Sequence, residues 1–121
     1  SKGVNNNIHD VMNIPLKHIP CYGHNRIFLL RLDEVEYLSS ELSGVHVIGI
    51  KQSGYTQLTL KMLEEKTPYT RCHRQYLVNL DQVNEIQLMD NGSAEVITRT
   101  GKHIPVSCRY LKPFKEQLGI T

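Results

Sequence analysis

The amino-acid sequence predicts a mainly β fold of antiparallel strands with two short helices. Short runs of alternating or β-branched apolar residues recur about every eight to twelve residues, a spacing typical of antiparallel sheets. Turn signals separate these runs, most clearly at residues 23–26, 90–92 and 100–102. With 121 residues and 40% hydrophobic content, the chain has the size and composition of one globular domain.

The first half of the chain predicts strands only. Its apolar residues alternate or are β-branched and aromatic, which suits a pleated, half-buried surface. Ser53 and Gly54 predict a turn before the last of these strands. The five predicted strands are residues 19–22, 26–31, 35–40, 45–50 and 55–60.

The hydrophobic period changes to that of a helix at residues 60–66, where apolar side chains fall on one side and charges on the other. Pro68 ends this helix, since the residue before a proline is driven out of helical dihedral angles. Residues 74–80 fit either a strand or a helical turn. Further strands are predicted at residues 69–73, 83–89, 94–99 and 103–106.

A second helix is predicted at residues 108–119. Ser107 is its expected N-cap, and Gly119 is its expected C-terminal stop. Pro113 lies inside this segment, which indicates a kink or an early position in the helix.

The most informative stretch is residues 71–80, RCHRQYLVNL, in which Arg71 and Arg74 precede an apolar anchor. A second apolar run delivers Arg109 at its end. Arginine matters here because its planar guanidinium makes paired hydrogen bonds that lysine cannot make. The net charge is only +2, but residues 66–80 and 96–115 are both basic and free of acids, so they predict one positive face. An ordinary solvated surface is the alternative.

Metal binding and enzyme chemistry are both disfavoured by the sequence. Cys72 and His73 are adjacent, so on a strand they point to opposite faces, and Cys21 with His24 lacks a second ligand pair. A cysteine hydrolase would use Cys72 or Cys108 beside an arginine, yet no nucleophile motif is present. We therefore predict buried inert cysteines, no cofactor, no metal and no enzymatic activity.

Compartment follows from the same composition. Three cysteines at irregular spacing argue against a disulfide framework and predict a reducing, cytoplasmic environment. No apolar run approaches the roughly 20 residues needed to cross a bilayer, so no membrane association is expected.

Three ordered motifs, RCHRQYLVNL, DNG and IPVSCRYLKPFKEQL, together resemble the LytTR DNA-binding domain, the output domain of bacterial response regulators. The resemblance covers roughly residues 19–118. It implies an elongated arrangement of small antiparallel sheets with short helices, in which loops rather than a recognition helix enter successive major grooves. It also implies a sequence-specific DNA-binding function in transcription regulation.

Candidate DNA contacts follow from this resemblance. Base-reading positions fall on Arg74, on Arg109 and on the loop that carries Val45 and His46. The chain departs from the family pattern at Cys108, where an arginine is frequent, and at Val45, where some relatives carry a polar side chain. Cationic and imidazole side chains suited to phosphate contacts are Lys66, Arg71, His73, Lys102, Lys112 and Lys115.

The resemblance further implies partners outside this sequence. Residues 1–18 are predicted to be a linker from an upstream receiver domain, and residues 19–121 to be the DNA-binding domain. Expected partners are double-stranded DNA with paired direct repeats in promoters, the receiver domain and a cognate sensor histidine kinase, with the isolated domain a monomer. The alternative is a β-rich protein-interaction or ligand-sensing module that does not bind DNA.

Overall fold

Ten strands form two antiparallel sheets in the computed structural model, which describes residues 14–120. The larger sheet consists of β1 (His18–Gly23), β2 (Arg26–Arg31), β3 (Val35–Glu41), β4 (Gly44–Gly49), β5 (Ser53–Thr56), β6 (Thr70–His73) and β7 (Tyr76–Val78). Its strands lie in the order β2-β1-β5-β4-β3-β7-β6. The smaller sheet consists of β8 (Val83–Leu88), β9 (Ala94–Thr98) and β10 (His103–Val106), with β9 in the centre. The predicted fold class is confirmed.

Two α-helices and two 3-10 turns complete the described part of the chain. Helix α1 begins at Leu60 and ends at Lys66, and the Thr59 hydroxyl caps it by accepting a hydrogen bond from the Met62 amide at 3.1 Å. Pro68 lies just beyond its end, as predicted. The remaining elements are α2 (Cys108–Gln117) and the 3-10 turns Leu32–Glu34 and Leu80–Gln82.

The turn predicted at Ser53 and Gly54 is wrong, because both residues belong to β5. Gly54 pairs with Val47, and a Cβ at Gly54 would lie 2.6 Å from Phe28 Cζ. This glycine therefore permits close packing inside a strand instead of a change of direction. The strand also ends earlier than predicted, at Thr56, so that the chain can reach α1.

The ambiguous residues 74–80 form β7 and enter the second 3-10 turn. Both faces of β7 are covered: Leu77 belongs to one hydrophobic cluster and Val78 to the other, because successive side chains on a strand point to opposite faces. The Asn79 side chain then bonds to backbone, donating to the Val35 carbonyl at 2.8 Å and accepting from the Asp81 amide at 3.1 Å.

Helix α2 depends on packing more than on capping. Ser107 occupies the N-cap position but makes no side-chain capping hydrogen bond, contrary to the prediction. Phe114 is fully buried, which contributes about 2 kcal/mol. At the other end Gly119 has φ +79°, and the amides of Gly119 and Ile120 donate to the carbonyls of Glu116 and Lys115, so the predicted glycine stop is confirmed.

The two sheets are joined through a buried carboxylate. Glu36 on β3 is fully buried, and it accepts hydrogen bonds from Thr100 and Lys102, which lie on the β9–β10 turn. Burial alone would raise the pKa of Glu36, but hydrogen bonds from Lys102, Thr100 and Thr98 outweigh it and lower the pKa below its ordinary value. The carboxylate therefore stays charged and fixes one sheet against the other.

Residues 1–13, which make up most of the predicted linker, lie outside the described residues. Among the rest of that segment, Leu16 packs against the first hydrophobic cluster, and its amide donates to the Lys66 carbonyl at 2.8 Å. The packed structure thus includes the last residues of the segment predicted as linker, and β1 begins at His18.

Candidate nucleic-acid interface

Arg74 stands on the two-residue turn between β6 and β7. His73 and Tyr76 pair across this turn, and the His73 Nδ1 accepts a hydrogen bond from the Gln75 amide at 3.1 Å. Arg74 is exposed, and within the described part of the chain its guanidinium makes no ion pair. A fixed backbone thus presents a cation with unused donors to solvent.

Arg109 stands on the first turn of α2 and is also exposed. Its guanidinium carbon lies 5.1 Å from the centre of the Tyr110 ring, a cation–π contact that supports the side chain without using its hydrogen-bond donors. The amide of Ser107 donates to the Cys72 carbonyl at 3.0 Å, and this bond fastens the start of α2 to β6.

The structure therefore brings the two basic sequence windows together. Arg74 and Arg109 line the same surface groove, although 34 intervening residues separate them in the sequence (75–108). Other side chains in this groove are His73, Ser107, Cys108 and Tyr110. None of the described residues that line it is acidic, so its electrostatic character favours an anionic partner.

The β3–β4 turn lies at the same end of the larger sheet. The amide of Ser40 donates to the Gln75 carbonyl at 2.8 Å, which places the end of β3 beside the Arg74 turn. Val45 follows this turn but is only 5% exposed and belongs to the first hydrophobic cluster. Its side chain cannot reach a base edge, which removes it from the candidate base-reading side chains.

His46 is held within its own sheet. Its ring stacks on Tyr55 with centroids 4.5 Å apart, and Nδ1 lies 3.3 Å from a carboxylate oxygen of Glu41. The Tyr55 hydroxyl donates to the same carboxylate at 2.8 Å. His46 is half-buried as a result, and the groove of Arg74 and Arg109 does not include it.

The candidate phosphate contacts divide into two groups. Arg71 and Lys102 already bind acidic partners, Glu64 and Glu36 respectively. Lys112 is exposed on α2, and Lys115 follows one turn later along the same helix. The half-buried Lys66 lies at the end of α1, where a cation also favours the helix dipole.

Sequence reasoning missed Glu64, Glu41 and Glu36, which position these cations and His46. A carboxylate seven residues before Arg71 was visible in the sequence, but its contact with Arg71 depends on how α1 packs against the larger sheet. Glu36 gave a weaker signal still, because a charged residue in an alternating strand ordinarily faces solvent.

The cysteines differ from the prediction in one place. Burial raises the pKa of Cys72 to about 12 and that of Cys21 to about 11, which makes both thiols poor nucleophiles. Cys108, predicted to be buried, is exposed, because it begins α2 on the solvent side with its thiol 3.7 Å from the Asn91 carbonyl.

Within residues 14–120, no group of three or more His, Cys, Asp or Glu side chains is arranged to hold a metal ion. In the same part of the chain, no helix has the length and apolar character needed to cross a membrane.

A family model for the LytTr DNA-binding domain matches residues 25–119, which include β2 to α2 and the whole groove. The chain belongs to the LytTR DNA-binding domain family. In this LytTR domain, Arg74 and Arg109 line one surface groove. Within residues 14–120, two sheets and two short helices support this groove.

Curated relatives of this LytTR domain are longer proteins. An uncharacterized response regulatory protein of Yersinia pestis is 74% identical over 118 residues, covering 98% of this chain and 50% of that protein. The transcriptional regulatory protein BtsR of Escherichia coli K12 is 55% identical over 106 residues, covering 87% of this chain and 44% of BtsR. The chain thus spans half or less of the length of these relatives.

A solved structure has the same fold. The LytTr DNA-binding domain of a response regulator from Bacillus cereus superposes with a TM-score of 0.82, covering 87% of this chain and 99% of that one. The two sequences are 21% identical, so the likeness shows the fold alone.

Proposed function

We propose that this LytTR domain is the output domain of a response regulator and that Arg74 and Arg109 read base edges in duplex DNA. The observation that carries this proposal is their shared groove, in which two exposed guanidinium groups stand on rigid backbone. Arginine bonded to guanine O6 and N7 is the commonest specific contact in the major groove. Two arginines on one surface suit reading of neighbouring bases.

Phosphate contacts are proposed for the cations that have no internal partner in the described structure. Lys112, Lys115 and Lys66 suit this role, because phosphate contacts fix the position of a protein on DNA without specifying sequence. Arg71 and Lys102 bind Glu64 and Glu36, so we assign them to the protein's own structure. His73 keeps its Nε2 for a phosphate, while Nδ1 accepts from the Gln75 amide.

The surrounding system is also proposed from the relatives. Matches named response regulatory protein and transcriptional regulatory protein support an upstream receiver domain, joined through residues 1–13, and a cognate sensor histidine kinase. We further propose that paired direct repeats in promoters are the DNA target and that the protein acts in the cytoplasm, where the chromosome is. Enzymatic activity has no place in this scheme.

The test begins with selection of bound duplexes from a random pool, followed by titration of the selected site and of random DNA. Arg74→Ala and Arg109→Ala should each cost roughly 1–3 kcal/mol on the selected site and relax preference at one or two base pairs. Arg26→Ala is the matched control. Arg26 is an exposed arginine on β2, remote from the groove, and its guanidinium carbon lies 4.4 Å from the centre of the Phe28 ring.

Two outcomes would contradict the proposal. Equal weakening of selected and random DNA by Arg74→Ala would make that residue a phosphate contact. Binding that is absent at low salt, or that does not weaken as salt rises, would exclude a phosphate-clamping DNA-binding surface altogether. The β-rich protein-interaction or ligand-sensing alternative would then be favoured.

A further inference from the structure

Arg71 is bound on two sides by the protein itself. Its Nε donates to a Glu64 carboxylate oxygen at 3.0 Å, and one terminal nitrogen, Nη2, lies 2.9 Å from the same oxygen as an ion pair. The other terminal nitrogen, Nη1, donates to the backbone carbonyl of Arg74 at 2.6 Å. Only 16% of the Arg71 side chain is exposed. Its guanidinium thus connects helix α1 to the turn that carries Arg74.

The Arg74 carbonyl belongs to the peptide group in the middle of the β6–β7 turn. Its neighbouring amide, on Gln75, is held by the His73 ring at 3.1 Å, and the Gln75 carbonyl accepts from the Ser40 amide at 2.8 Å. The pairing register shifts between Arg71 and His73, so the regular strand ladder does not fix this turn by itself. Arg71 supplies a further bond to this turn, from its side chain to the Arg74 carbonyl.

We propose that the Glu64–Arg71 bridge is a positioning device that orients Arg74 for base reading. This inference rests on the proposed function of Arg74. A guanidinium is planar and has five donors, so it can bind a carboxylate and a carbonyl in one fixed geometry. The Glu64 carboxylate fixes the orientation of the Arg71 guanidinium. The guanidinium in turn fixes the backbone carbonyl of Arg74, the residue whose side chain would read bases. Bonds from an ionised donor are among the stronger hydrogen bonds in proteins.

The experiment compares affinities for the selected site and for random DNA, together with the salt slope and the melting temperature. Arg71→Ala should lower the ratio of the affinity for the selected site to the affinity for random DNA about tenfold, which corresponds to about 1.4 kcal/mol. Arg71→Lys should lower the ratio similarly while leaving the salt slope unchanged, because the charge remains but the fork is lost. Arg99→Ala is the matched control, since Arg99 also donates to a backbone carbonyl, that of Asp81 at 3.0 Å, away from the groove.

The double exchange Glu64→Arg with Arg71→Glu separates positioning from stability. It restores opposite charges between α1 and β6, but the new carboxylate cannot donate to the Arg74 carbonyl. The melting temperature should recover relative to Arg71→Ala, while the affinity ratio should stay low. Recovery of both together would overturn the proposal, because the bridge would then act through stability alone.

Other outcomes are equally decisive. If Arg71→Ala weakens all DNA alike and lowers the salt slope by about one, Arg71 is a phosphate contact and the proposal fails. If Arg71→Ala leaves the ratio of specific to random affinity unchanged while Arg74→Ala lowers it, the proposed positioning role of the bridge is wrong. The proposed function of Arg74 then stands. If Arg74→Ala itself leaves the ratio intact, the base-reading assignment fails, and the bridge proposal fails with it.

Discussion

Lysines and arginines of this domain differ in their partners, and the partner decides whether a given side chain is available to bind DNA. Lys102 donates to the buried Glu36, whereas Lys112 is exposed on α2. Arg71 is bound by Glu64, whereas Arg74, three residues later, faces solvent. A buried charge requires a partner, and the cation that supplies it is no longer available to DNA.

The two lysines should therefore respond differently to removal. Lys112→Ala should weaken binding to all DNA sequences about equally and lower the slope of log affinity against log salt by about one unit. Lys102→Ala should instead lower the free energy of unfolding by about 3 kcal/mol, because it leaves the Glu36 carboxylate buried with only hydroxyl partners. Binding titrations at several salt concentrations and urea unfolding measure the two effects. A salt slope changed equally by both substitutions would contradict this division.

At the scale of elements, the two helices begin in different ways. Thr59 caps α1 with its hydroxyl, whereas Ser107 lies at the start of α2 without a capping bond. Helix α1 has only seven residues and carries Glu64, so through Arg71 it also supports the turn that bears Arg74. Helix α2 is held by Phe114 and by the bond from the Ser107 amide to β6.

Substitution of the two N-cap residues tests this difference. Thr59→Ala should lower the free energy of unfolding by about 1 kcal/mol, since it leaves the Met62 amide without its acceptor. Ser107→Ala should cost clearly less, within about 0.5 kcal/mol of wild type, because no capping bond is lost. Chemical unfolding of both variants measures the difference. Equal costs would mean that the Ser107 hydroxyl caps α2 in solution.

At the scale of the whole molecule, one buried charge links the two sheets beside the hydrophobic cluster that they share. Glu36 lies on β3 in the larger sheet, and its partners Thr100 and Lys102 lie on the smaller one. Arg109 follows the smaller sheet, and Arg74 lies on a turn of the larger sheet.

This contact makes stability depend on pH. The folded pKa of Glu36 is lowered, so its stabilising contribution is complete above the unfolded carboxyl pKa of about 4.3 and is lost as pH falls through the lower folded value. Glu36→Gln should have a lower free energy of unfolding than wild type at pH 7. The difference between the two free energies should be smaller at pH 3. Glu85→Gln, at an exposed position on β8, is the control and should leave the pH profile unchanged. A constant gap between pH 7 and pH 3 would contradict a lowered pKa.

Association with DNA at this scale should depend on the number of linked domains. We expect the isolated chain to be a monomer that binds one half-site weakly. Fusing a dimerising domain through residues 1–13 should raise affinity for two correctly spaced repeats by about 10²–10⁴-fold, because the second binding event becomes intramolecular. The same fusion should change affinity for a single repeat little. Sedimentation that shows a tight dimer of the isolated chain, or equal gains on one and two repeats, would contradict this.

Local patterns were sufficient for most elements but failed where a residue had two possible uses. Alternation and the Asp90–Gly92 turn predicted β8 and β9 correctly. Ser53 and Gly54 were predicted to form a turn, because glycine is common in turns and rare in strands. Only the packing of Phe28 over Gly54 shows why a strand has glycine there.

By itself, the sequence determined the fold class, the family and the choice of Arg74 and Arg109 as candidate base readers, because strand periodicity, turn chemistry and arginine beside an apolar anchor are local properties. The tertiary structure alone decided which charges are available. Arg71 meets Glu64, Lys102 meets Glu36, and Val45 turns into the core, through contacts between elements that local patterns do not encode. A buried charge must find its partner wherever the fold places one, so its role depends on distances in space and not on position along the chain.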